Sequence, residues 1–245
     1  MSIHNTIEKM QTLRLFAMAD EFQRQMATAG INDIPFESRI QILVDHELTS
    51  RENKRLKVLL KKAKLKIAAC VEDIDYRTPR GIEKSELLSL TSMEWCRQGQ
   101  NLIITGPTGL GKTWLSCALG NQACRMGLTT YFARLPLLKI TLLSAHASGT
   151  FLKQLDMLAK YDLLILDEWG MNSLDSRAQE DIMELIDARV GTKSTIFCSQ
   201  APIEKWHDSI DNKTIADAIL DRLINSSHSL KFTGDSLRRL HKVRK

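Results

Sequence analysis

The chain has 245 residues, 43% hydrophobic and 26% charged, with a formal net charge of +5. That is ordinary for a soluble globular protein and leaves room for one large domain or two modest ones. No uncharged stretch is long enough to span a bilayer, and no apolar signal-peptide core opens the chain, so the expectation is a cytoplasmic protein.

Residues 1 to about 70 read as helical. Pro35 is their only proline, and apolar residues recur at helical spacing (Ile7, Met10, Leu13, then Phe16 and Ala17). The stretch 29–35 reads as a turn, and a second helix is expected from about Ser38 through Leu48. Charge is uneven along the chain. Residues 1–50 carry four Lys/Arg against seven Asp/Glu, whereas 51–66 carry eight against Glu52 alone. The last fifteen residues carry six against Asp235. Two basic clusters on a balanced chain point to a polyanionic partner.

In the first cluster Leu56, Leu60, Ala63, Ile67 and Cys70 are spaced 4, 3, 4, 3, which predicts one apolar stripe on a helix. Arg51, Lys54, Arg55, Lys57, Lys61, Lys62 and Lys64 then occupy the other faces. A plain solvated face is one reading of them. So many cations with scarcely a counter-charge repel one another, and the expectation is contact with DNA phosphates or another acidic partner. The stretch 71–81 breaks the pattern and reads as a domain boundary. A helical domain over 1–75 and a second domain over 76–245 follow.

From residue 82 a short helical lead-in precedes alternating strands and helices. Strands are expected at Leu102–Thr105, Thr129–Ala133, Leu163–Leu166, Thr195–Cys198 and Ser229–Phe232, with helices such as Ser176–Arg189 between them. This alternation predicts an α/β fold with a five-stranded parallel sheet covered on both faces. Five cysteines (Cys70, Cys96, Cys117, Cys124, Cys198) contain no C-x-x-C pair and read as buried free thiols. The six histidines show no metal-ligand spacing, and Trp95, Trp114, Trp169 and Trp206 read as packing residues.

The most specific signal is Gly106, Pro107, Thr108, Gly109, Leu110, Gly111, Lys112 and Thr113, which spell G-x-x-x-x-G-K-T between an apolar strand and a helix. Glycines let successive backbone N–H groups turn inward onto phosphate oxygens, and the helix N-terminus adds its partial positive charge. Lys112 is expected to reach the β- and γ-phosphates of ATP, and the Thr113 hydroxyl to ligate Mg²⁺.

The third strand ends in Asp167 and Glu168 after four consecutive apolar residues. Carboxylates at that edge of a parallel sheet face its ligand. Asp167 is expected to hold Mg²⁺ through Thr113, and Glu168 to orient or deprotonate the attacking water. A water-activating glutamate fits an ATPase and disfavours a small-molecule kinase. The absence of an arginine-rich lid between the third and fourth strands also counts against a kinase. Ser199 and Gln200 end the fourth strand, where a polar side chain can sense the γ-phosphate or simply start a loop. Arg222 and Arg238 lie on expected helices and suit either phosphoryl transfer or surface ion pairs.

Taken together, 106–113, 163–170, 198–207, 216–222 and 234–239 resemble the IstB transposition helper ATPases, relatives of the helicase loader DnaC within the AAA+ class. The likeness extends to 50–56 and 61–65 and so covers nearly the whole chain. It implies an AAA+ P-loop fold behind a small all-helical N-terminal domain. It also implies ATP hydrolysis with Mg²⁺, and an ATP-dependent homo-oligomer on double-stranded target DNA that recruits and stimulates a partner transposase. Arg222 would be an arginine finger acting on a neighbouring subunit, Arg238 the sensor-2 arginine acting in cis, and Ser199 or Gln200 sensor 1. The alternatives are a DnaC-like loader of a replicative helicase and a nucleotide-gated DNA-binding protein without turnover.

Overall fold

The computed structural model describes residues 3–78, 80–171, 174–225, 227–234 and 236. The chain separates into two compact units, Met1–Val58 and Leu59–Lys245. The seam falls at 58/59, not near 75, and the stretch from Leu65 to Ile74 packs on the core of the second unit.

In the first unit α1 (Ile3–Thr12) and α2 (Phe16–Ala27) precede α3 (Phe36–Ala63), a helix that runs on through the basic cluster and past the seam. Few apolar residues are buried among its described positions: Ala17, Ala19 and Leu43. Polar contacts hold α2 to α3 instead. Glu47 accepts from the Met18 backbone N–H (3.0 Å) and from Arg51 Nε (2.7 Å), and Arg51 also donates to the Arg14 carbonyl (3.0 Å). Phe36, Ile40, Val44 and Leu48, four apart on α3, remain exposed.

The helix expected to continue through Cys70 stops at Ala63, where Lys64 takes a left-handed conformation (φ 51°). Past that point the apolar residues alternate. Leu65, Ile67, Ala69 and Val71 face the core of the second unit, while Lys64, Lys66 and Ala68 are exposed. A period of two means extended chain, and it overrides the looser helical spacing read through Ile67 and Cys70. The expected boundary segment continues inward, with Ile74 buried in the same cluster.

The second unit then builds α4 (Lys84–Thr91), α5 (Glu94–Arg97), β1 (Asn101–Thr105), α6 (Lys112–Arg125), β2 (Thr130–Arg134), α7 (Leu135–Ala147), α8 (Phe151–Lys160), β3 (Leu163–Trp169), α9 (Ser176–Asp187), β4 (Ser194–Ser199), α10 (Lys213–Ile224) and β5 (Ser227–Lys231). All five strands are parallel, in the order β2-β3-β4-β1-β5. Strand pleating divides the core in two. Leu102, Ile104, Leu163, Ile165, Ile196 and Cys198 pack with α4, α5 and α6, while Ile103, Leu164, Leu166 and Phe197 pack with α7, α9 and α10. The continuous apolar runs in the sequence are therefore central strands covered on both faces.

All five cysteines are free, and all but Cys70 are buried. Among the described residues no helix is long and apolar enough to cross a membrane.

Candidate functional site

The carboxyl edge of the sheet, where β1 and β3 end, opens into a cavity of about 730 Å³. Its lining includes Thr108, Gly109, Gly111, Lys112 and Thr113 from the glycine loop and Asp167, Glu168 and Gln200 from β3 and the end of β4.

Gly106, Gly109 and Gly111 all have positive φ (137°, 87° and 93°). At two of them space matters as much as conformation, since a Cβ would strike the Phe232 carbonyl at Gly106 and the Ser236 hydroxyl at Gly109. Gly111 caps α6, whose first residue is Lys112. The Lys112 ammonium is buried and donates to the Gly106 (2.6 Å) and Pro107 (2.8 Å) carbonyls of its own loop. Burial pulls its pKa down.

The Thr113 hydroxyl lies 3.1 and 3.0 Å from the two Asp167 carboxylate oxygens, a contact 54 residues apart in sequence. Asp167 is 4% exposed, and burial raises its pKa although Thr113 and the Lys66 charge oppose the shift. A hydroxyl and a carboxylate side by side are hard oxygen donors and fit a Mg²⁺ completed by waters and phosphate oxygens.

Glu168 interrupts the ladder. It takes φ 66°, and the β3–β4 register shifts between Leu166 and Trp169. The bulge turns its carboxylate toward the end of β2, where Arg134 donates through Nε (2.9 Å) and Nη2 (2.8 Å). A non-glycine residue in that conformation costs of order 1 kcal/mol or more, and such strain concentrates at functional sites.

The two candidates at the end of β4 separate clearly. Ser199 is buried, donates to the Trp169 carbonyl (2.8 Å) and accepts from Ala201 N–H and Trp206 Nε1 (both 3.1 Å). It fastens the β3 and β4 ends together and is absent from the cavity lining, whereas Gln200 is part of it. Arg222 sits on α10, paired with Asp187 and donating to the Ala218 carbonyl (3.0 Å), and does not line the cavity. Arg238 lies outside the described residues.

Among the basic candidates Arg51 holds Glu47, Lys54 lies over the Phe16 ring (5.9 Å) and Lys64 over the Tyr131 ring (5.5 Å). Arg55, Lys57, Lys61 and Lys62 are exposed on α3. Lys64 also lines a groove of about 410 Å³ along β2, with Lys66 and Arg134.

Several cavity residues escaped the sequence reading. Lys66 comes from the end of the basic cluster read as helix, Asp75 and Arg80 from the stretch taken for a boundary, and Trp114 lines the cavity as well. The alternating pattern from Leu65 to Val71 was the available signal for the first of these. Nothing local marks Arg134. Trp169 and Trp206 are packing residues as expected, their rings 5.5 Å apart in the core.

The family model for IstB-like ATP binding proteins matches residues 8–245. An insertion sequence ATP-binding protein of Sinorhizobium fredii is 40% identical over 237 residues, 97% of this chain and 96% of that protein. Another from Pseudomonas fluorescens is 44% identical over 203 residues, 82% of this chain and 88% of that one. Among solved structures, the DnaC helicase loader aligns with a TM-score of 0.56 at 21% identity, covering 67% of this chain and 97% of that chain.

Proposed function

Because the chain belongs to the IstB-like ATP-binding protein family and carries an AAA+ P-loop fold, we propose that it is a Mg²⁺-dependent ATPase of DNA transposition. It hydrolyses ATP to ADP and phosphate, assembles as a homo-oligomer on double-stranded DNA, and recruits a partner transposase in the cytoplasm. The observation that carries the hydrolytic reading is the Thr113–Asp167 contact, with Glu168 next in sequence and all three lining one cavity.

Within that reading each residue has a defined task. The backbone N–H groups of 106–113 and the start of α6 bind phosphate oxygens. Lys112 exchanges the Gly106 and Pro107 carbonyls for the β- and γ-phosphates. Thr113 and Asp167 hold Mg²⁺, which when bound neutralises charge developing on the phosphates. Glu168 accepts the proton of the attacking water or orients it. Gln200, which lines the cavity, takes the sensor role that Ser199 was also a candidate for. Arg222 serves a neighbouring subunit's ATP, a role that its place outside its own cavity's lining supports. Arg238 completes the site in cis. The exposed cations of α3 and Lys64 supply DNA-phosphate contacts, and the exposed apolar stripe of α3 supports a partner-binding role for the first unit.

Phosphate release by the wild type and Glu168→Gln, with and without DNA, tests this. Hydrolysis by the wild type, with the variant binding ATP but slowed at least about a hundredfold, is expected. ATP binding without turnover under any condition would favour a nucleotide-gated DNA-binding protein, a reading that the Arg134 grip on Glu168 supports. Capture of a replicative helicase rather than a transposase would make the protein a DnaC-like loader.

A further inference from the structure

The cavity holds a cation that no motif announces. The ammonium paired with Asp167 is that of Lys66, 3.9 Å from Oδ2. Lys112, the expected phosphate lysine, is meanwhile turned onto its own loop's carbonyls. Lys66 is aimed there by the backbone. Lys64 follows α3 in a left-handed turn, and the alternation that packs Leu65, Ile67 and Ala69 on the core leaves Lys66 exposed at the cavity wall, which Ile67 also lines. The side chain is 45% exposed, so it has water around it and room to swing. Asp167 has little of either at 4% exposure, and its charge depends on what stands beside it.

We propose that Lys66 is a second phosphate-site cation, holding Asp167 until a divalent ion arrives and then turning to the triphosphate. The proposal rests on the nucleotide reading above. Thr113 and Asp167 would hold a divalent ion whose charge would repel the Lys66 ammonium from the carboxylate, while phosphate oxygens in the same cavity would attract it. Lys66 therefore exchanges one anionic partner for another without leaving the site. At 3.9 Å and with its ammonium in water, the pair adds little stability by itself. Its consequence lies in metal dependence. With Lys66 present, ATP binds beside Asp167 under two ammonium groups even when Mg²⁺ is chelated. Without Lys66, the buried carboxylate and the triphosphate repel each other unless the metal stands between them.

The experiment measures ATP dissociation constants of the full chain by calorimetry, in Mg²⁺ and in EDTA. Lys66→Met should widen the ratio of the two constants about fivefold or more, and Lys66→Arg should keep it within about twofold of wild type. Lys153→Met, on α8 and outside the cavity lining, serves as the charge-matched control and should leave the ratio unchanged. Should Lys66→Met melt early by circular dichroism, Lys66→Gln carries the same comparison. A ratio that stays the same or narrows overturns the role of Lys66 while leaving the nucleotide site intact. Wild-type protein that takes up no ATP in either buffer overturns the nucleotide reading and this proposal together.

Discussion

Arg134 and Glu168 meet through two parallel hydrogen bonds of 2.9 and 2.8 Å, joining the carboxyl ends of adjacent strands β2 and β3. Both Glu168 oxygens are engaged, so the proposed base is occupied by a cation that lines a groove along β2. A carboxylate with both oxygens held by a guanidinium is not free to take an attacking water. Arg134→Ala should therefore raise DNA-independent phosphate release roughly three- to tenfold with ATP affinity unchanged. A fall in turnover would instead show that Arg134 positions Glu168 for the reaction.

Asp167→Asn should separate function from stability. Burial holds the Asp167 pKa above the ordinary carboxylate value, so the folded state disfavours the charged form. For an acid with a raised folded pKa, the penalty is absent below the unfolded pKa, near 4, grows above it, and is complete above the folded pKa. The asparagine variant should accordingly melt higher than wild type at neutral pH, and the difference should vanish below about pH 4. Mg²⁺ should no longer strengthen its ATP binding. Equal melting temperatures at neutral pH would refute the burial argument.

Arg189 follows α9, is 2% exposed, and donates to neutral oxygens. Its guanidinium donates to the Leu158, Tyr161 and Ser194 carbonyls and to the Thr195 hydroxyl, tying the α8–β3 connection to β4. Burial pulls its pKa down to about 10, which leaves it charged at neutral pH. Arg189→Met should cost about 3 kcal/mol by stranding several buried acceptors, lowering the melting temperature by roughly 10 °C. Arg189→Lys should recover less than half, because an ammonium cannot reproduce a planar fork of five donors. Full rescue by lysine in a thermal melt would mean that charge, not the fork, is what the site needs.

The proposed trans role of Arg222 has a direct test in mixing. Arg222→Ala alone should lose about a thousandfold in turnover, and Glu168→Gln alone should be equally poor. An interface formed by the cavity of the first variant and the finger of the second has every wild-type group. The mixture should regain phosphate release with ATP and DNA. A mixture as inactive as its components would place Arg222 in a cis or purely structural role through its Asp187 pair.

What the sequence determined alone is what depends on neighbours along the chain. The glycine loop, the start of α6 and the apolar strands follow from local φ preferences and hydrophobic spacing. Thr113, Asp167 and Glu168 were legible because loop, strand and strand-end acids each carry their own signature. The tertiary structure alone decided which side chains from distant segments share the cavity. Arg134 meets Glu168 only through the β2–β3 register and a bulge, and Lys66 meets Asp167 only because the chain after α3 turns extended and packs on the sheet. Ser199 gives way to Gln200 at the cavity wall because the bonds of Ser199 to Trp169 and Trp206 bury it. Pairings across 30 or more residues are set by how strands align and how cores fill, and a one-dimensional pattern carries no record of that alignment.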